Sequence, residues 1–137
     1  MPFGEGFIAP AGGGEGIVVP TTIAGQGYPA EPPALEVRDG VIVRAEGAAR
    51  LALCETLDRH GSAGRNLAEL GIGVHHAARM TGNVLEDEKA LRTAHVAFGS
   101  SAAFGGQVPA AVHIDCLVAD ASIWLDGDPF DAAGAVA

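Results

Sequence analysis

A histidine and an aspartate, His113 and Asp115, stand one residue apart in the apolar segment 111–118, AVHIDCLV. Because side chains alternate between the two faces of a β-strand, both should point the same way, with Ile114 and Cys116 directed into the core. An imidazole and a carboxylate placed side by side can share one divalent metal ion. Triplets of the form His-x-Asp also arise by chance, so the pair predicts a metal site where further ligands converge on the same face.

Three further segments offer metal-binding side chains. Glu5 stands between glycines, Glu69 shares a face with Leu67 in NLAELGIG, and His95 lies in the strand-like TAHVAF. With the His-Asp pair they form a mixed nitrogen and oxygen donor set that suits Zn, Co, Mn or Fe better than Ca. Five ligands exceed the need of one tetrahedral ion, and two ions about 3.5–4 Å apart could hold a hydroxide and polarise a carbonyl. The alternative is that Glu69 pairs with an arginine and His95 is a hydrogen-bonded sheet histidine.

The surrounding pattern predicts an α+β domain built on a mostly antiparallel β-sheet. The pair Asp39-Gly40 between two alternating segments predicts a tight hairpin. Apolar residues at helical spacing predict one clear helix at about 48–59. The predicted apolar stripe of this helix consists of Ala48, Leu51, Cys54 and Leu57.

Two less regular segments complete the prediction. The stretch at about 84–92, VLEDEKALR, predicts a second short helix whose acidic residues Glu86, Asp87 and Glu88 face solvent. The last ten residues, 128–137, are expected to fray. We expect residues 1–137 to form a single metal-binding domain, because this length gives room for one modest core.

Composition narrows the class of protein. A hydrophobic content of 48% with 18% charged residues is typical of a folded chain rather than a disordered one. The net charge of −9 argues against a nucleic-acid partner. No signal peptide is apparent, and no apolar run approaches the roughly 20 residues that span a bilayer. We therefore expect a cytoplasmic protein with no membrane partner, whose two cysteines are reduced core thiols.

Several of these stretches, taken together and in order, resemble the C-terminal portion of the aminopeptidase T/aminopeptidase S type metallopeptidases, which include proteins labelled leucyl aminopeptidase. The stretches are MPFGEGFIAP, NLAELGIG, ARMTGNVLEDEKAL, TAHVAFG and VHIDCLV. The resemblance implies a two-metal centre with zinc or cobalt, and manganese also suits the ligands. The implied ligands are Glu5, Glu69, His95, His113 and Asp115. Glu69 is expected to be a catalytic residue as well.

The resemblance implies an aminopeptidase that releases N-terminal residues from peptides through metal-bound hydroxide. Family members are longer and carry an N-terminal domain before the first glutamate motif. We therefore expect either a homodimer or a separate N-terminal domain as partner, and a peptide or small molecule as substrate. This sequence departs from the family pattern at Gly6, Arg92, Ser100 and Ser101, while the ligand types are kept.

Two alternatives stay open from the sequence. The 2,5-dihydroxypyridine 5,6-dioxygenases resemble the same group, and they hold one Fe(II) with a His-x-Asp pair and a further histidine. His113, Asp115 and His95 match that set of two imidazoles and one carboxylate. The other alternative is a truncated, catalytically incomplete module that serves in metal binding or association.

Overall fold

The computed structural model describes residues 4–11 and 13–134, and within these the chain is an α+β domain of mostly antiparallel sheet, as predicted. The strands are β1 (Glu5–Ile8), β2 (Gly16–Val18), β3 (Thr22–Ile23), β4 (Ala34–Arg38), β5 (Val41–Glu46), β6 (Leu67–Gly73), β7 (Ala94–Gly99), β8 (His113–Val118), β9 (Ile123–Leu125) and β10 (Asp128–Phe130). The helices are α1 (Arg50–Asp58), α2 (Gly61–Gly64) and α3 (Val84–Asp87), with a 3₁₀ turn at Ala102–Phe104.

The strands form a large sheet, a smaller sheet and a hairpin. The large sheet has five strands in the order β1-β6-β7-β8-β3, and every neighbouring pair is antiparallel. The smaller sheet has the order β2-β4-β5. The turn between β4 and β5 is Asp39-Gly40, both residues having positive φ, so the hairpin predicted from this pair is confirmed.

The hydrophobic core lies between one face of the large sheet, the smaller sheet and α1. Its buried side chains are Ile23, Leu35, Val37, Ile42, Leu53, Leu57, Phe98, Ile114 and Cys116. Burial of this apolar surface is the main force that fixes the large sheet in place. The other face of that sheet is left free to carry polar groups.

The predicted first helix is confirmed, but its buried stripe differs. Helix α1 buries Leu53 and Leu57, which are four residues apart and therefore lie on one helix face. Leu51, which we placed in the stripe, is 58% exposed. Leucines occur at 51, 53 and 57, so two overlapping apolar patterns were available. The prediction used the pattern that includes Leu51, whereas the structure buries the one that includes Leu53.

The second helix predicted at 84–92 ends after one turn, and its acidic residues do not all face solvent. Asp87 is fully buried and Glu88 is 8% exposed. The Asp87 carboxylate accepts hydrogen bonds from the backbone N–H groups of Thr81 (2.6 Å) and Gly82 (3.0 Å), which folds the preceding loop back onto the helix. The chain then turns so that Ala90 forms a bridge with His75.

Replacing Asp87 with alanine should lower the free energy of unfolding by roughly 2–4 kcal/mol, because the N–H groups of Thr81 and Gly82 would lose their buried acceptor. Chemical denaturation of both proteins measures this loss. The matched control is Asp58→Ala, which removes an exposed carboxylate paired with Arg65 and should cost under about 1 kcal/mol. Equal losses for the two variants would contradict the structural role of Asp87.

Part of the C-terminal segment that we expected to fray forms a short strand. Asp128–Phe130 forms β10 and pairs with β9 through the turn residues Asp126 and Gly127, which both have positive φ. This geometry is that of a tight two-residue hairpin. Residues 135–137 of the tail expected to fray lie outside the described residues. In the described parts of the chain, we find no helix with the length and apolar character needed to span a membrane.

Candidate metal centre

The five side chains predicted as ligands lie on the polar face of the large sheet. In the strand register Glu69 of β6 lies opposite Ala97 of β7, which lies opposite Asp115 of β8. His95 is two residues from Ala97, and His113 is two residues from Asp115. The strand partner of Glu5 is four residues from Glu69. Because side chains alternate along a strand, these even spacings place all the ligands on the same face. The full set is Glu5, Glu69, His95, His113 and Asp115.

Glu69 reaches this face because β6 contains a β-bulge. The register against β7 shifts between Leu67, which pairs with Phe98, and Glu69, which pairs with Ala97. The extra residue, Ala68, lets Leu67 pack against the hydrophobic core while Glu69 turns to the opposite side. We had predicted that Leu67 and Glu69 share one face, and the bulge makes that prediction wrong for Leu67.

The first group of possible ligands contains Glu69, His113 and Asp115, which each offer an atom within 4.8 Å of the others. The His113 Nε2 atom lies 3.1 Å from Glu69 Oε2 and 3.4 Å from Asp115 Oδ1. On its other side, His113 Nδ1 lies 2.9 Å from the carbonyl oxygen of Ser100 and donates to it. This bond places a proton on Nδ1 and leaves Nε2 as the atom that faces the two carboxylates, where it can bind a metal ion once its own proton is lost.

The second group contains Glu5, Glu88 and His95, again with ligand atoms within 4.8 Å of one another. His95 Nε2 lies 3.8 Å from Glu5 Oε2 and 3.4 Å from Glu69 Oε1. Since the other oxygen of Glu69 faces His113, the Glu69 carboxylate joins the two groups. The predicted side chains are therefore brought together in two neighbouring groups rather than in one shell.

Sequence reasoning missed Glu88 and Lys89. The Lys89 ammonium lies 3.2 Å from Glu5 Oε1 and also contacts the Glu88 carboxylate. Both residues follow α3 in a stretch of good helix formers, so no local signal marks the end of the helix there. The bridge between His75 and Ala90, which depends on the tertiary fold, turns this segment toward the site.

The charges in the two groups shift the pKa values of the ionisable side chains. Burial alone would raise the pKa of Glu69, but hydrogen bonds from His113 and His95 lower it to about 2. Hydrogen bonds to Asp115 and Glu69 raise the pKa of His113 to about 10. Burial works to lower the pKa of His95, but the hydrogen bond with Glu69 and the negative charges of Glu69, Asp115 and Glu5 together raise it. Excess negative charge therefore favours the protonated form of both imidazoles.

Two buried polar atoms at the site have no hydrogen-bond partner among the described residues, namely Glu5 Oε2 and His95 Nδ1. His95 is 2% exposed, and its ring lies over Gly71, where an added Cβ would meet the ring at 2.1 Å. A glycine at 71 is thus required for the ring position. Excess carboxylate charge and an unpartnered carboxylate oxygen both fit a bound divalent cation.

No family model matches the chain, and no curated protein matches it. Comparison with solved structures shows that this fold is shared with a dioxygenase. The similar structure is the 2,5-dihydroxypyridine dioxygenase from Pseudomonas putida KT2440, with a TM-score of 0.79 and 21% sequence identity. The match covers 93% of the present chain and 42% of the dioxygenase chain. At this identity the likeness establishes the fold.

The comparison corrects the identification as a metallo-aminopeptidase. The similar solved structure is a dioxygenase, and the family and curated-protein comparisons match nothing. The protease prediction is therefore wrong, and the relation to the dihydroxypyridine dioxygenases is the part of the resemblance that the structure supports. The physical reason for the error is that a mixed imidazole and carboxylate set suits either two hydrolytic ions or one iron.

Proposed function

We propose that this chain forms the iron-binding domain of a mononuclear dioxygenase that opens a dihydroxylated pyridine ring. The observation that carries the proposal is the convergence of Glu69, His113 and Asp115 within 4.8 Å on a sheet that shares its fold with a 2,5-dihydroxypyridine dioxygenase. Because the chain spans 42% of that dioxygenase chain, the activity is proposed for the protein that contains this domain.

The donor set fits Fe(II). His113 offers Nε2, and Asp115 and Glu69 offer carboxylate oxygens 3.4 and 3.1 Å from it. Non-haem iron oxygenases commonly hold Fe(II) with two imidazoles and one carboxylate on one side, and this group offers the same donor types as one imidazole and two carboxylates. Iron(II) bound there would supply the one-electron chemistry that lets dioxygen react with an electron-rich ring.

We assign His95 a proton-holding role rather than the third-ligand role predicted from the sequence. Its Nε2 faces Glu69 Oε1 at 3.4 Å and belongs to the second group. Despite burial, the hydrogen bond with Glu69 and the nearby negative charges raise the pKa of His95, which favours a proton at this atom next to the carboxylate that we propose as a ligand. A proton held at this place can be transferred to an oxygen of the opening ring.

Lys89 adds a permanent positive charge to the site. Its ammonium lies beside the carboxylates of Glu5 and Glu88, and its side chain is 34% exposed. The exposed part can approach a deprotonated ring hydroxyl and orient it by charge. The same charge offsets part of the repulsion among the carboxylates.

The test is oxygen uptake by the iron-loaded chain. Protein treated with a chelator and then loaded anaerobically with Fe(II) should consume one dioxygen per 2,5-dihydroxypyridine, with loss of the ring absorbance. Protein loaded with Zn(II) is the control, because zinc binds the same ligand types without redox activity. If Fe(II) binds and 2,5-dihydroxypyridine binds but no oxygen is consumed, the proposed reaction is wrong for this chain.

A further inference from the structure

We propose that Phe7 and Phe104 form an aromatic wall beside the metal-ligand groups, and that Phe7 selects flat aromatic substrates by stacking against the ring. The inference rests on the proposed function, since it names a residue that would determine which molecules that site accepts. It goes further because neither residue is a ligand or a proton carrier.

The position of Phe7 follows from β1. Phe7 is two residues after Glu5, so both side chains lie on the same face of the sheet, toward the ligand groups. Gly71 is the cross-strand partner of Phe7, and the ring of His95 lies over this glycine, next to Phe7. Phe7 is 53% exposed, so a large apolar ring face stands free at the edge of a polar site.

Phe104 packs between the exposed Phe7 ring and the His113 imidazole. Its ring stacks on the His113 imidazole, with centroids 4.6 Å apart and an interplanar angle of 21°. Phe7 packs edge-on against Phe104, with centroids 5.6 Å apart at 84°. The three rings therefore form a continuous series from the proposed ligand His113 to the exposed Phe7, in geometries that aromatic pairs prefer.

The loop that carries Phe104 is held in one conformation. The carbonyl oxygen of Ser101 accepts the N–H groups of Phe104 and Gly106, and its hydroxyl accepts the N–H of Val108. A side chain at Gly106 would meet Ser101 Oγ at 2.2 Å, so the turn needs glycine there. The backbone carbonyl oxygen of Ser100, the preceding residue, accepts a hydrogen bond from His113 Nδ1. One short loop thus fixes both the imidazole tautomer and the aromatic wall.

A hydroxylated pyridine is flat and has two π faces. With its hydroxyl groups directed at the ligand groups, such a ring can lay one face on Phe7, and the stack excludes water from that side. A non-aromatic hydroxy acid of similar size has no face to stack and would gain less. The aromatic wall therefore favours substrates with a flat ring, while the charged groups favour substrates with hydroxyl groups.

The test measures both binding and turnover for Phe7→Ala and for the matched control Ile8→Ala. Ile8 is the next residue of β1, is 62% exposed and lies on the opposite face of the sheet. Equilibrium dialysis of 2,5-dihydroxypyridine against the anaerobic Fe(II)-loaded chain should give a Kd about tenfold higher for Phe7→Ala. KM should rise by a similar factor with little change in kcat. Ile8→Ala should bind as the wild type does, and Phe7→Tyr, which keeps a π face, should restore affinity.

The outcomes separate this inference from the proposed function. If the wild-type chain binds and oxidises the ring while Phe7→Ala keeps its Kd, the aromatic wall is wrong and the proposed function stands. Equal weakening by Phe7→Ala and Ile8→Ala would also overturn the wall, because the effect would then be on the strand as a whole. If the iron-loaded wild type neither binds nor oxidises the ring, both proposals fail.

Discussion

Replacing His113 with alanine is expected to weaken Fe(II) binding by at least about 100-fold, as measured by anaerobic titration of the metal-free chain. His113 is the imidazole that faces two carboxylates at once, Glu69 at 3.1 Å and Asp115 at 3.4 Å. Alanine removes the nitrogen ligand and also the ring on which Phe104 stacks. The remaining carboxylates would hold iron weakly, since oxygen ligands alone suit hard cations such as Mg²⁺ better than Fe(II).

The control is His76→Ala. His76 is an exposed histidine in a turn, and its removal takes away one imidazole without touching either ligand group. His76→Ala should bind Fe(II) as the wild type does. A third variant, His95→Ala, distinguishes a ligand from a neighbour, because we expect a loss of about tenfold if His95 acts through Glu69. A loss as large as that of His113→Ala would make His95 the third ligand, and an unchanged affinity for His113→Ala would refute the site.

Much of this arrangement was predictable because it depends on local rules. The alternation of side chains along a strand is enough to place His113 and Asp115 on one face, and the structure places them so. The Asp39-Gly40 turn is equally local, since positive φ at both central residues favours this pair. These features depend only on residues adjacent in sequence, so they could be predicted directly from the sequence.

The rest of the site depends on contacts between distant segments. The bulge at Ala68 arises from the pairing of β6 with β7, and alternation within β6 alone gave Leu67 the wrong face. Glu88 and Lys89 reach the site through a turn that tertiary pairing stabilises. The number of metal ions could not be predicted either, because the same donors suit one ion or two, and the division into two groups is a property of the folded sheet.

Metal affinity should rise steeply with pH, by about 100-fold between pH 6 and pH 8. The sign follows from the proton on His113. Hydrogen bonds to Asp115 and Glu69 raise its pKa to about 10, so below that pH the metal-free imidazole is protonated at both nitrogens. The Nδ1 proton is held by the Ser100 carbonyl, and a metal ion must displace the Nε2 proton. Each unit of pH below about 10 then changes the apparent affinity about tenfold for one displaced proton.

Calorimetric titration with Zn(II) in buffers of different ionisation enthalpy would measure both the affinity and the number of protons released. We expect one proton per ion from His113 at pH 7. In Glu69→Gln the imidazole loses one of the two carboxylates that hold its proton, so the rise in affinity should level off at a lower pH. An affinity that is constant from pH 6 to pH 8 would mean that His113 does not carry the displaced proton. The metal would then have to be bound by a different set of side chains.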